Sequence, residues 1–489
     1  MPDPHRSDAA HDFETLARRA MARALPTDVR ERARGGVAAV SDGAGNVVAH
    51  PFGAAHAETP ADADTVFRIA SMSKSFLAAA VLALRDEGRL DLRAPIRDYL
   101  PEARLFWQGE AVDVTCAQLL CNRSGMPEDN AWADRQLDLS RDALQAYAAA
   151  GLTLSLPPGS GYQYSNTGMA LVGAIVEAVT GQPIEHVVHE RFLEPLGLAH
   201  TAYTVADLPN DTPVAEGYRT FDGGREFRHE PFLKHGAFGC IGGMLSTVGD
   251  IGRWMRFLAS AFTAEPEHPH VLRPTTRLEM QSAFTPAQIP AERAEQLESA
   301  GYGYGLVVEQ DRRFGRILQH AGGLPGWSSH MRWHAASGTG VVVFANSDSF
   351  GAGTRATEIL RSVLNDTNAS SARIDPWPEA LDAAKLVDAL IRSGGSLARL
   401  GEFAAPNLLP DVPAEVRDRQ LAELTDRFGD PLEQQEPLER RITSMPNAAE
   451  LQWGVACAYG DLECSIRLVG LPTPALQSLK IAVAGSTSD

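Results

Sequence analysis

Lysine is nearly missing from this sequence. Of its 44 basic side chains only four are lysines, Lys74, Lys234, Lys385 and Lys480; the others are arginines. Long apolar runs are missing as well. No stretch approaches the roughly 18 residues of a membrane-spanning helix, and mean hydropathy is −0.17, so a globular chain outside the membrane is expected. Clusters of basic residues are also lacking. The net charge of −18 is spread along the chain, which argues against a nucleic-acid partner, because binding to phosphates relies on grouped Lys and Arg. The five cysteines (Cys116, Cys121, Cys240, Cys457, Cys464) are odd in number and lack metal-ligand spacing, so free thiols in a reducing compartment are expected. The opening MPDPHRSDAAHDFETLARRA has no apolar core and no small-residue cleavage site, which predicts a cytoplasmic protein. There is no phosphate-binding loop and no G-x-S-x-G. His186 and His189, flanked by Glu185 and Glu190, read as a solvated helix face rather than a metal site, and His235 lies too far from His229-Glu230 for H-E-x-x-H. No cofactor or metal is expected.

The chain is long enough, at 489 residues with 44% hydrophobic side chains, to bury one large core and one small one. Residues 1–30 read as a helical arm. Two apolar runs around Asp42-Gly43-Ala44-Gly45-Asn46 predict a hairpin over 35–49. Helical spacing covers 71–87, with Gly88 where a C-terminal cap belongs. Between 100 and 300 the pattern is mainly helical, as at 171–180 and 250–260. Strands return at 304–310, 316–320, 328–334 and 340–345, followed by a helix over 354–364. Strands at both ends with helices between them predict an α+β domain over 31–366. A polar linker (365–371) leads to a small α+β domain over 374–489, with helices at 378–392 and 413–427. Alternating segments follow at 438–443, 450–458, 463–468 and 475–484.

Three groups of residues point to chemistry. Ser71-Met72-Ser73-Lys74 opens a predicted helix, so Ser71 and Lys74 share a face. A desolvated lysine can take the proton of a serine hydroxyl, whereas arginine stays protonated. The helix start adds unpaired N–H groups and positive potential near a developing oxyanion. Tyr164-Ser165-Asn166 offers a phenol to shuttle a proton and an amide to bond a substrate carbonyl; its alternative is a plain turn in which Asn166 caps the next helix. His320-Ala321-Gly322-Gly323 ends a strand, where small residues admit a substrate chain and a backbone N–H can serve an oxyanion; a structural strand-end histidine is the alternative.

In order, these read S-x-x-K, Y-x-N and H-x-G. Here the sequence resembles the penicillin-recognising serine enzymes, in particular the class C β-lactamase-like and D-aminopeptidase-like branch. The resemblance covers roughly residues 30–365 and extends to Phe67-Arg68-Ile69-Ala70, Pro195-Leu196-Gly197, Gly242-Gly243-Met244-Leu245-Ser246-Thr247 and Gly322-Gly323-Leu324-Pro325-Gly326. It implies an antiparallel sheet with flanking helices packed on an all-helical lobe, with the site between them. It also implies Ser71 as nucleophile, Lys74 with Tyr164 as general base and later acid, Asn166 on the substrate amide, and the N–H groups of Ser71 and Gly323 as oxyanion hole. His320 stands where typical β-lactamases carry lysine, which makes efficient β-lactam hydrolysis less expected. A bond to Tyr164 or to a substrate carboxylate, and a near-neutral proton relay, are expected of it. Trp132, Phe238, Gly322 and Trp327 are candidate substrate-lining residues, Phe238 and Trp327 having core packing as the equal alternative.

Three functions compete. The first is a hydrolase of peptide, ester or amide substrates with a D-configured residue at the acylated end. The second is an acyl transferase: the chain is similar to stand-alone penicillin-binding-protein-type thioesterases, which cyclise nonribosomal peptides head to tail and would receive a peptidyl thioester from a carrier domain. The third is a non-catalytic sensor of the same fold.

Overall fold

The computed structural model describes residues 4–369 and 375–484. The chain divides into two compact units, Met1–Ala372 and Arg373–Asp489. Among the described residues no helix is long and apolar enough to cross a membrane.

The first unit is organised on one antiparallel sheet. Strands β1 (Gly35–Ser41) and β2 (Val47–His56) form the expected hairpin. Its turn is tied by Asp42, whose Oδ1 accepts from the N–H groups of Ala44 (3.0 Å) and Asn46 (2.8 Å). Gly45 takes φ +93, a left-handed conformation that glycine adopts without steric cost. The remaining strands come late in the unit: β3 (Leu297–Tyr302), β4 (Val307–Asp311), β5 (Gly315–Leu324), β6 (Trp327–His334) and β7 (Gly340–Ala345). The order across the sheet is β3-β4-β5-β6-β7-β1-β2, with two-residue edges at Thr285–Pro286 and Thr59–Pro60. Early and late strands meet where β1 pairs with β7, Val37 opposite Phe344. The helices therefore enter as one long insertion, and the α+β order is observed.

Helices cover both faces of the sheet, and the period of two in a strand decides which residue faces which cover. Val37, Ala39, Val342 and Phe344 join a core with Phe76 and Leu77 of α2 (Ser73–Asp86) and Trp254 of a helix over Val248–Ala259. Their neighbours Ala38, Val40, Val341 and Val343 join a second core with Ala17, Ala20 and Met21 of α1 (Pro4–Ala24) and Ile359 and Val363 of a helix over Ala352–Asp366. The expected N-terminal arm is thus a packed cover on the sheet, held by residues spaced 17, 20, 21 and 24 on one helix face.

Three strands differ from expectation: β4, expected over 304–310, begins only at Val307, after a bend at 304–306. Strand β3 is unanticipated: Glu298 and Ser299 are exposed and interrupt its apolar alternation. Strand β5 runs four residues past His320, through two glycines whose low strand propensity conceals it. Pairing of β4 with β5 stops at Gln319, while β6 pairs with β5 as far as Leu324. Residues 320–324 therefore leave one edge of β5 without a strand partner.

In the second unit a four-stranded antiparallel sheet runs in chain order: β8 (Ile442–Asn447), β9 (Glu450–Cys457), β10 (Gly460–Val469) and β11 (Ala475–Val483). Leu451, Trp453, Val455, Leu462, Cys464 and Ile466 line one face and pack on the helix Pro378–Ser393. The segment expected as a strand over 438–443 opens instead with a helical turn, Leu438–Arg441, after Pro437. The helix Ala352–Asp366 uses the first two residues of the expected linker; Ser370 and Ser371 lie outside the described residues. Inside this core Asp388, 5% exposed, accepts from Arg441 at 2.8 and 2.6 Å and from the Trp453 indole at 3.1 Å. Removing one side of a buried ion pair strands the other charge, so Asp388→Ala is expected to cost this unit about 3–5 kcal/mol, seen as an earlier denaturant transition in the full chain.

Candidate active site

Ser71 sits in a tight 3-10 turn, Ala70–Met72, immediately before α2 rather than within the α-helix. Ala70 takes φ 49, a left-handed backbone that costs a non-glycine residue on the order of 1–3 kcal/mol and persists only where neighbours enforce it. They do so here. The Ile69 N–H donates to the Met244 carbonyl at 3.0 Å, and the Ser329 hydroxyl donates to the Ile69 carbonyl at 2.7 Å. Gly322 of β5 presses on the same turn: a Cβ there would lie 2.1 Å from Ser329 Oγ and 2.4 Å from the Ile69 oxygen. Gly322→Ala is therefore expected to cost roughly 1–3 kcal/mol and to slow acylation by displacing Ser71; thermal unfolding beside acylation kinetics checks both.

Lys74 lies one turn on and is fully buried. Its Nζ is 2.8 Å from Ser71 Oγ and donates to the Ile241 carbonyl at 2.8 Å. Burial lowers its pKa to about 7, against the raising effect of Asp134, Cys240 and Asp129. A neutral amine has two N–H bonds and one lone pair. With an N–H committed to Ile241, the lone pair is free to face the serine hydroxyl.

Tyr164 precedes the helix Asn166–Thr180, whose N-cap is Ser165, accepting from Gly168 N at 3.2 Å. Asn166 is thus the first helical residue, not the cap. The Tyr164 hydroxyl is within hydrogen-bonding reach of Ser71, and burial raises its pKa, so it holds its proton at neutral pH. Lys74 Nζ lies 5.0 Å from the centre of its ring. Asp129 anchors this helix start, accepting from the N–H groups of Asn166 (2.7 Å) and Thr167 (2.8 Å). The Asn166 amide donates to Asn130 Oδ1 at 2.7 Å, and its own Oδ1 has no donor among the described residues.

The expectation for His320 is corrected. Its Nδ1 lies 2.6 Å from the Ala321 carbonyl, so that nitrogen carries the proton, and Nε2, 3.0 Å from the Tyr302 hydroxyl, accepts from Tyr302 rather than from Tyr164. Burial, then the Lys74 charge, lowers its pKa to about 3. The imidazole is neutral at physiological pH and does not titrate there as a relay. Tyr302 was missed by sequence reading; the signal was the alternation Gly301-Tyr302-Gly303-Tyr304-Gly305, whose first tyrosine closes strand β3.

The candidate lining residues separate. Trp132 is 44% exposed and rests edge-on against Phe238, ring centres 5.6 Å apart. Phe238 is fully buried; it supports Trp132 and belongs to the core. Gly322 is buried against Ile69 and Ala70, not open to a substrate, whereas a Cβ on Gly323 would meet nothing within 4 Å. Trp327 is 3% exposed, packed between Phe67 and Phe232, and one side of it closes a small recess with Arg68 and Asp134. Asp134, not singled out in the sequence, acts on Lys74 more strongly than any other charge.

Residues 13–364 match the sequence model of the beta-lactamase family. Penicillin-binding protein 4* of Bacillus subtilis (strain 168) is 27% identical over 319 residues, 60% of this chain, and the chain spans 64% of that relative's length, under two thirds. A D-stereospecific amidohydrolase from Streptomyces sp. superposes with a TM-score of 0.56 at 26% identity, over 70% of this chain and 97% of that one. The octameric penicillin-binding protein homologue from Pyrococcus abyssi shares the fold at 19% identity with a TM-score of 0.60, over 96% of this chain and 99% of that one. Together with the serine, lysine and tyrosine gathered at one turn, the matched span establishes that the chain belongs to the beta-lactamase family, the superfamily of serine β-lactamases and penicillin-binding proteins.

Proposed function

We propose that this protein is a serine hydrolase of amides or esters whose acylated residue has the D configuration, working through an acyl-enzyme on Ser71. The observation that carries the reading is the buried Lys74 amine 2.8 Å from Ser71 Oγ, with a pKa lowered to about 7. As the Ser71 oxygen attacks the carbonyl carbon, its proton passes to Lys74. The oxyanion forms against the Ser71 and Gly323 N–H groups. Collapse breaks the bond to the leaving amine or alcohol, which takes a proton through Tyr164. Water then attacks the ester, gives its proton to the same lysine–tyrosine pair, and releases the acid and Ser71. The open edge of β5 at 320–324 offers backbone groups on which an extended acyl chain can lie. The D preference is supported by the likeness to the Streptomyces amidohydrolase.

The test is hydrolysis of D- and L-aminoacyl p-nitroanilides, followed by intact-mass measurement and weighing of the products. An acyl adduct resolving to free acid with D over L preference is expected. An L preference refutes the stereochemical part. A product lighter by one water would show that an internal amine, not water, resolves the adduct.

A further inference from the structure

Tyr302 has no part in the chemistry above, yet its hydroxyl settles how His320 meets the proton path. It closes β3 and is fully buried. The hydroxyl lies 3.0 Å from His320 Nε2, and Nδ1 lies 2.6 Å from the Ala321 carbonyl. A carbonyl oxygen only accepts, so Nδ1 carries the proton of the neutral ring and Nε2 the lone pair. Tyr302 is then the donor. Burial pushes its own pKa well above the ordinary value, so the phenol keeps the proton it shares. Both nitrogens of the imidazole are thereby used.

The same side chain borders Tyr164. The Tyr302 ring stands edge-on to the Tyr164 ring, centres 6.1 Å apart, and tilts against Tyr162 at 6.0 Å. The His320 ring is 6.3 Å from that of Tyr164, and Lys74 is near enough for its charge to act on the imidazole. The Asn122 side chain is within hydrogen-bonding influence of the Tyr302 hydroxyl. Its Oδ1 accepts from the Ser165 N–H at 3.0 Å. Tyr302 is thus linked on one side to His320 and on the other to the residue that follows Tyr164. No donor other than Tyr302 reaches His320 Nε2 among the described residues. Without that hydroxyl, a buried imidazole acceptor would stand unpaired beside Tyr164, and an unpaired buried acceptor favours any arrangement that brings it a donor.

We propose that Tyr302 is a positioning residue for the proton transfers at Ser71: by filling the lone pair of His320, it leaves the Tyr164 proton to the leaving group. The proposal rests on the hydrolase reading above. As the tetrahedral adduct collapses, the Tyr164 O–H bond breaks while that proton bonds to the departing nitrogen or oxygen. The Lys74 ammonium then returns a proton to the phenolate oxygen. A hydroxyl has one hydrogen to give, so a Tyr164 turned toward an imidazole is misdirected for this step. Tyr302 has no hydrogen bond to Ser71, Lys74 or Tyr164 among the described residues, and it acts through His320.

The experiment is a double-replacement cycle of wild type, Tyr302→Phe, His320→Phe and the pair, read with a D-aminoacyl p-nitroanilide and the p-nitrophenyl ester of the same residue. Tyr302→Phe keeps the ring and removes only the donor. It is expected to lower kcat/KM for the anilide by roughly 100-fold. The loss for the ester is expected to be far smaller, because p-nitrophenol departs as its anion and needs no proton. In the His320→Phe background, removing the Tyr302 hydroxyl is expected to have no further effect. A wild-type rate in Tyr302→Phe, an equal loss for anilide and ester, or the same loss in both backgrounds overturns this proposal and leaves the hydrolase reading standing. Nitrogen-15 spectra of the wild type give a reading that depends on no variant: His320 is expected to be protonated on Nδ1 near neutral pH, and a proton on Nε2 overturns the proposal. Absence of an acyl adduct on Ser71 with either substrate overturns both readings.

Discussion

Ser71→Ala is expected to abolish the covalent adduct and to lower kcat/KM by roughly 10⁴-fold or more, with the fold unchanged. The side chain touches only the site: it meets Lys74 Nζ at 2.8 Å and lies near Tyr164. The strained turn that presents it is held by other groups, namely Ile69, Ser329 and Gly322. Intact-mass spectra of wild type and variant, incubated with the same activated D-aminoacyl ester, read the result directly. An adduct of equal yield on Ser71→Ala would remove Ser71 from the mechanism. Far-ultraviolet circular dichroism, expected to be superimposable, separates loss of chemistry from loss of fold.

Lys74→Met should lower acylation by roughly 10²–10⁴-fold, the usual worth of a positioned general base. Methionine is the informative replacement, because the side chain is fully buried and an unbranched apolar chain fits where a guanidinium would overpack. The wild type supplies a second reading. Burial holds the amine near pKa 7 instead of its ordinary 10.5, so the basic form grows as pH rises through about 7 and kcat/KM should rise with it. A pH profile flat from 6 to 8 (about one unit either side) would sink lysine as the base. The same shift acts on stability with a definite sign. Between about 7 and 10.5 the unfolded chain binds a proton at Lys74 that the folded chain does not, so this residue's contribution rises with pH across that window.

The cost of burying this amine explains why lysine is retained there in a chain that otherwise uses arginine. A surface cation works equally well as Arg; a base that must lose its proton does not. That argument was available from composition alone, as were the order of the three motifs and the strand–helix–strand plan. Periodicity also located the early and the late strand that meet inside the sheet, because Val37–Val40 and Val341–Phe344 are buried on both faces and read as unbroken apolar runs. Less was legible where residues serve tight packing. Gly322 and Gly323 look alike in sequence, yet one presses on the nucleophile's turn and the other faces open space. Phe238 and Trp132 are both plausible pocket walls, and only their packing makes one a support for the other.

The sequence by itself determined the chemical types and their order along the chain: a serine and a lysine one helical turn apart, a tyrosine and an asparagine before a second helix, and a histidine at the end of a strand. These follow from local spacing, which the geometry of helix and strand converts directly into direction. Tertiary structure decided what those groups are in situ. The lysine becomes a base because it is desolvated by residues distant in the chain, and the Ile241 carbonyl that fixes its amine lies 167 positions away. The histidine is neutral and tied to Tyr302 because the packing of strands from distant parts of the chain buries it. Asp134 is part-buried within the influence of Lys74 and has no hydrogen bond or ion pair among the described residues. Burial and partnership are set by contacts between distant segments, and no local pattern encodes them.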